Sequence, residues 1–155
     1  MIQLLLFLHI GGAVLLVGEI LYASLWLRSS LHRGPEPQVT RYVLGTMALT
    51  TRGIAMPAYY VNLISGILLG FVANVHWSRA IWLIASIVLY TIMSSLWQGT
   101  LIPLRRKMEA ELERAGTGSL PATFEPMARQ WVRTSGAVLA LLAAILGLMI
   151  WRPTI

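Results

Sequence analysis

The sequence predicts an all-α protein, a bundle of four helices that span a membrane. Hydrophobic residues make up 57% of its 155 residues and charged residues only 12%, against about 45–50% and about 25% in ordinary soluble domains. Four stretches reach the roughly 20 mostly apolar residues that a spanning helix needs, namely residues 2–27, 57–75, 80–102 and 134–151. We therefore expect a single integral membrane domain, and a soluble globule, a coiled coil and a disordered tail are excluded.

The first predicted span starts at the amino end and carries two ionisable side chains, His9 and Glu19. No Lys or Arg precedes it, whereas Arg28 and Arg33 follow it, which is opposite to the charge order of a cleaved secretory signal. We expect this segment to be a retained anchor. Ionisable groups are costly inside a bilayer, so both side chains are candidate site residues.

The first connection is too long for a simple turn. It contains a Gly-Pro-Glu-Pro run at residues 34–37, which predicts a break in the chain. Beyond this run, apolar residues recur at helical spacing from Val39 to Leu49. We predict an interfacial helix over about residues 38–52, and we expect the chain to change direction before Pro57, where the second span starts.

The second and third spans each carry a stripe of small and polar residues. These stripes consist of Asn62, Gly66, Gly70 and Asn74 in the second span and of Ser86, Tyr90, Ser94 and Gln98 in the third. Small residues let membrane helices approach closely, and polar side chains bond across the interface. We predict a polar seam between the first three helices, lined by His9, Glu19, Asn62 and Tyr90.

The third connection starts with Pro103 and continues with mixed charges at three- and four-residue spacing over residues 105–114. This pattern is typical of a solvated helix with ion pairs along its surface. We therefore predict a helical extension of the third span on the cytoplasmic side. A bend over residues 120–126 then leads to the fourth span, whose small residues suit close helix packing.

The net charge of +6 is concentrated in the first and third connections. Outside them, only Arg79 and Arg152 carry a positive side chain. Positively charged loops stay in the cytoplasm, so we expect a multi-pass protein of the bacterial cytoplasmic membrane with both termini on the outer side. The lipid bilayer is the expected partner, and a membrane protein or a second copy of the chain is a further candidate. No basic surface is free for nucleic acid.

Two histidines are the candidate cofactor ligands. In the predicted orientation, His9 and His76 belong to the outer half of the membrane, whereas His32 lies on the opposite side. An imidazole can ligate haem iron while its other N–H donates to a carbonyl or carboxylate. We predict His9 as a metal-ligating and cofactor-binding residue, with His76 as a second ligand. The alternative for His9 is a structural histidine that bonds to the next helix.

Glu19 is the candidate catalytic group. Within a span, its carboxyl must be neutral, linked to water or paired. We predict that it accepts a proton, that Tyr90 belongs to the same catalytic site and that Asn62 helps to bind the cofactor. The alternative is a structural carboxyl that bonds to a neighbouring helix or to Arg52. Because the sequence contains no Cys, we expect no thiolate chemistry. Sequence signatures of hydrolases and kinases are missing as well.

Several short motifs follow one another in a distinctive order. They are Leu8-His9-Ile10-Gly11-Gly12 in the first span, Pro57 followed by Leu63-Ile64-Ser65-Gly66 in the second, Trp82 and Trp97 around the third, and Met149-Ile150-Trp151-Arg152-Pro153 at the end. This order resembles a bacterial family of predicted integral membrane proteins of unknown function. That family is distantly similar to the HemJ-type protoporphyrinogen oxidases and to the copper-resistance D membrane domain. The resemblance implies haem b or a porphyrin at His9.

Three functional hypotheses follow. The first is a redox protein that binds haem b, a porphyrin or a quinone between its helices. The second is a non-enzymatic accessory or assembly subunit of a membrane complex, whose small-residue stripes dock against a partner. The third is a small metal or ion transport protein, for which a water-filled path through Glu19 is the expected feature.

Overall fold

The structure, a computed structural model, describes residues 1–32, 36–74, 80–116 and 119–152. Within these ranges the chain is helical apart from short turns, and no strand occurs in them. Four helical stretches are long and apolar enough to cross a membrane: Ile2–His32, Pro37–Val72, Ile81–Arg114 and Phe124–Trp151. The predicted all-α bundle with four spans is therefore confirmed.

The helical stretches divide into six α-helices and two short π-helical turns within the described residues. The helices are α1 (Ile2–His32), α2 (Pro37–Thr50), α3 (Met56–Val72), α4 (Ile81–Leu96), α5 (Ile102–Arg114) and α6 (Phe124–Trp151). The π-helical turns are π1 (Thr51–Ala55), which joins α2 to α3, and π2 (Trp97–Leu101), which joins α4 to α5.

The change of direction expected before Pro57 does not occur as a break in the helix. Thr50, Ala55 and Met56 all keep right-handed helical backbone angles, so α2, π1 and α3 form one continuous stretch. A proline inside a helix loses a hydrogen bond and clashes with the carbonyl four residues earlier. The wider π-helical turn ends at Ala55, two residues before the proline, and gives this ring room, so the chain continues without a break.

The same arrangement of a π-helical turn before a proline occurs in the third span, where Pro103 follows π2. The residue four positions before each proline is a glycine, Gly53 for Pro57 and Gly99 for Pro103. The predicted helical extension of the third span is confirmed as α5, which continues from π2 to Arg114.

Helix α1 is central to the bundle because it packs against both α3 and α6, while α4 packs against α6. Helices α1 and α3 approach each other closely at Gly12. A Cβ atom at this position would lie 2.9 Å from the Ala58 carbonyl oxygen and 3.0 Å from the Asn62 backbone nitrogen. A hydrogen bond of 2.8 Å between the hydroxyls of Ser24 and Ser135 joins α1 to α6.

Helices α2 and α5 pack together at one end of the bundle. The Arg41 guanidinium donates hydrogen bonds to the backbone carbonyls of Leu112 (2.8 Å) and Gly116, which satisfies carbonyls that the end of α5 leaves free. The first and third connections, which hold most of the positive charge, therefore lie at the same end. We call it the basic end.

The long helices keep many large apolar side chains on their outer surface. Leu4, Phe7, Phe71 and Ile150, for example, are each more than 60% exposed. In water an apolar surface of this extent would be an aggregation hazard, whereas lipid tails solvate it. The spanning helices therefore contact the lipid bilayer.

Candidate functional site

Glu19 lies buried in α1, with 7% of its surface exposed. Its Oε1 atom accepts hydrogen bonds from the hydroxyls of Thr50 (3.0 Å) and Thr51 (3.1 Å), at the junction of α2 and π1. Its other oxygen, Oε2, accepts no hydrogen bond from the described residues. Pairing with Arg52, one of the alternatives expected from the sequence, does not occur, because Arg52 is exposed and the neighbouring threonines hold the carboxyl instead.

Arg105 is the charged group that faces Glu19. This residue of α5 is only 4% exposed, and its Nη1 forms an ion pair with Glu109 one turn further on. Its Nε atom is buried and has no hydrogen-bond partner among the described residues. The two side chains form no direct ion pair.

Glu19 and Arg105 line the same small cavity. The lining residues are Glu19, Ile20, Thr51, Trp97, Leu101, Ile102, Arg105 and Trp131. The indole of Trp131 donates a hydrogen bond of 3.0 Å to the Leu101 carbonyl and so fixes one wall. The free space is about 10 Å³, close to the minimum that holds one water molecule. We call this arrangement the Glu19 site.

Both π-helical turns contribute to the Glu19 site. Thr51 comes from π1, and Trp97 and Leu101 come from π2. π-helical turns are rare in proteins, and a large share of those that do occur lie at functional sites. Each turn contains a glycine four residues before a proline, Gly53 before Pro57 and Gly99 before Pro103.

Arg105 was not predicted as a site residue, because the run of charges around it indicates a solvated helix. The i,i+4 spacing from Arg105 to Glu109 correctly indicates an ion pair. The charge pattern does not reveal that Arg105 is buried, because its burial depends on the packing of α5 against α2 and α6.

His9 and Asn62 form a second polar contact, between α1 and α3. The His9 Nδ1 atom donates to the Asn62 backbone carbonyl at 2.8 Å, and the Asn62 side-chain amide donates to the His9 carbonyl at 2.7 Å. The imidazole lies against Gly66, where an added Cβ would approach its Cε1 atom to 2.8 Å. Because a carbonyl only accepts, Nδ1 carries the proton in this contact.

The other predicted cofactor ligand, His76, lies outside the described residues. Within the residues that the structure does describe, no group of three or more His, Cys, Asp or Glu is placed to hold a metal ion. A metal ion bound at His9 would therefore need additional ligands other than the His, Cys, Asp and Glu side chains of the described residues.

Tyr90 contacts neither Glu19 nor His9. Its hydroxyl donates to the Tyr59 carbonyl at 3.2 Å, and its ring stacks on the Tyr59 ring with 5.5 Å between centroids. Tyr59 in turn lies 5.4 Å from Trp97, which lines the cavity at Glu19. Tyr90 is thus connected to the Glu19 site only through two other aromatic rings.

The predicted polar seam is therefore two separate sites. His9 and Glu19 are ten residues apart on α1, about 15 Å at the helical rise. Asn62 belongs with His9, whereas the threonines and Arg105 belong with Glu19.

Four apolar helices with buried polar contacts between them define a polytopic integral membrane protein. The family model described as predicted integral membrane protein (DUF2269) matches residues 3–153, and the chain belongs to this family. No curated protein and no solved structure matches the chain. The resemblance to a family of predicted integral membrane proteins of unknown function is thereby confirmed, and the more distant similarity to HemJ-type oxidases and the copper-resistance D domain stays a prediction.

Proposed function

We propose that this protein exchanges a proton at Glu19 as part of a redox or ion-handling role in the membrane. One observation carries the proposal: Glu19 is a buried carboxyl within a spanning helix, and it faces a buried guanidinium across a space of about 10 Å³. Ionisable groups at such positions are costly, and in membrane proteins they commonly mark proton or ion pathways.

The two partners of the Glu19 site have different chemical roles in this proposal. Arg105 serves as the fixed positive charge, because guanidinium groups do not lose their proton in proteins. Glu19 is the group that gains and loses the proton. Thr50 and Thr51 fix its Oε1 and leave Oε2 for a water molecule in the space next to Arg105.

We expect the protonated Glu19 carboxyl to give an infrared carbonyl band that disappears as pH rises. The full-length protein, reconstituted in liposomes, would be titrated while its infrared difference spectrum is recorded. Glu19→Gln removes the band, because the amide does not titrate. Glu111→Gln is the matched control and keeps it, because Glu111 pairs with the exposed Arg114 away from the cavity.

A spectrum that does not change with pH, or a band that survives in Glu19→Gln, would contradict the proposal. Glu19 would then be a structural carboxyl held by its threonines. That result would favour the accessory-subunit hypothesis.

A second candidate function is the binding of haem b or a porphyrin at His9. The specific observation in its favour is the hydrogen bond from Nδ1 to the Asn62 carbonyl, which orients an imidazole so that Nε2 is available as an axial ligand. Haem would supply one-electron redox chemistry. His9 could supply one ligand to the haem iron. It is half-buried, and it does not line the Glu19 cavity.

We expect a reduced-minus-oxidised visible spectrum of the purified protein to show a b-type signal that His9→Ala abolishes. Gly66→Ala should weaken the signal, because the new methyl group occupies the place of the imidazole. His32→Ala is the control: its Nδ1 also bonds to a carbonyl, that of Arg28 at 3.0 Å, but it is exposed on the opposite half of α1. Absence of any signal from protein produced with excess haem would refute this candidate.

We also propose that the protein resides in a bacterial cytoplasmic membrane with its basic end in the cytoplasm. The support is the contact of α2 with α5, which places both basic connections at one end, together with the positive-inside rule. Because the chain has no native cysteine, single-cysteine variants report topology without background. A membrane-impermeant thiol reagent should label Gln3→Cys in intact cells and Lys107→Cys only after lysis, and the opposite pattern would reverse the orientation.

A further inference from the structure

We infer that Arg105 is a positioning residue shared between two carboxyl groups, and that Glu109 controls proton binding at Glu19 by competing for it. This inference rests on proton exchange at Glu19, the function proposed above. It adds a residue, Glu109, that lies outside the cavity and does not contact Glu19.

The two ends of the Arg105 guanidinium have different surroundings. Nη1 is bonded to Glu109, whose side chain is 28% exposed at the edge of the bundle. Nε is buried without a partner in the described chain, and the residue lines the cavity that it shares with Glu19. A buried N–H without a partner is uncommon and requires a physical reason. A charge or a water molecule taken up in the cavity that Arg105 shares with Glu19 would supply one.

The charges of the three groups explain the competition. One guanidinium balances one carboxylate, and a second buried carboxylate leaves an uncompensated negative charge where solvation is poor. Glu109 is partly exposed to water and is already paired with Nη1 of Arg105. The positive charge of Arg105 is therefore fully compensated while Glu19 carries a proton. When Glu19 loses this proton, the Nε–H of Arg105 is the donor available to the new charge, directly or through one water molecule.

In the part of the chain that the structure describes, no charged residue other than Glu19 and Arg105 lines this cavity. Besides Glu19, the charged residues on α1 and on the elements that pack against it are Arg28, Arg41, Arg52, Glu125, Arg129 and Arg133, with Glu36 just before α2, and all of them are exposed. Helices α3 and α4 carry no charged residue. The same positive charge must therefore serve both carboxyl groups.

The test measures the pH midpoint of the Glu19 infrared band in the full-length protein in liposomes. Glu109→Gln removes the competitor and leaves Arg105 free to stabilise ionised Glu19, so we expect the midpoint to fall by about 1 pH unit. Glu111→Gln, which breaks the exposed pair with Arg114, should leave the midpoint unchanged.

A double-mutant cycle separates competition for Arg105 from a direct effect of the Glu109 charge. If Glu109 acts through Arg105, the shift caused by Glu109→Gln falls to less than half in an Arg105→Gln background. A shift of the same size in both backgrounds, or no shift in Glu109→Gln alone, would overturn the inference.

A substitute variant and the wild-type titration allow each outcome to be interpreted. If Arg105→Gln does not fold, Arg105→Lys serves as the background, because it keeps the positive charge but has a single nitrogen in place of the separate Nη1 and Nε donors of arginine. If the wild-type protein shows no pH-dependent band, the proposed function itself fails. A normal wild-type titration with no response to Glu109→Gln refutes only the role of Glu109.

Discussion

Gly12→Ala is expected to destabilise the bundle by about 1–3 kcal/mol, the usual cost of overpacking a tight interior. The added methyl group would lie 2.9 Å from the Ala58 carbonyl oxygen and 3.0 Å from the Asn62 backbone nitrogen. Both are backbone atoms, which cannot rotate away as a side chain does. Helices α1 and α3 must therefore move apart, and this movement lengthens the His9–Asn62 hydrogen bonds less than one turn away.

The effect would be measured as the midpoint of unfolding in a titration from mild detergent to dodecyl sulfate, followed by circular dichroism. Gly11→Ala is the matched control, because a Cβ at the adjacent position meets no atom within 4 Å. It should leave stability unchanged or raise it by up to about 1 kcal/mol through helix propensity. Equal stabilities for the two variants would mean that α1 and α3 do not approach at Gly12.

Phe124→Ala is expected to have the largest effect on stability, a loss of about 3–5 kcal/mol. Phe124 is the first residue of α6 and is only 1% exposed. It belongs to the same buried cluster as Met108 and Leu112 of α5. Removal of its ring leaves a cavity at the basic end, next to the helix that holds Arg105. We therefore expect a loosened Glu19 site as well as lower stability.

The same unfolding titration measures this loss, with Phe7→Ala as the control. Phe7 is 73% exposed on α1, where lipid or detergent surrounds its ring in the folded protein, so its removal should change stability little. Equal losses in the two variants would show that burial of Phe124 does not stabilise the basic end. A second readout is the tryptophan fluorescence of the protein, to which Trp97 and Trp131, both lining the cavity, contribute.

The class of protein, the number of spans and the location of the positive charge could all be predicted from the sequence. These properties are local, because a spanning helix requires an apolar stretch of about 20 residues whatever its neighbours are. The unusual positions of Glu19 and His9 are evident for the same reason: an ionisable residue within such a stretch is conspicuous in the sequence alone. The ion pair of Arg105 with Glu109 follows from spacing along one helix.

The tertiary structure decided which of these polar groups meet. Contact between two helices depends on how each is rotated about its axis and shifted along it, and no residue pattern within one helix specifies either quantity. For this reason the single seam predicted for His9, Glu19, Asn62 and Tyr90 became two sites about 15 Å apart. Arg105 changed from an apparent surface charge into a buried residue that lines the same cavity as Glu19, because α2 and α6 cover α5.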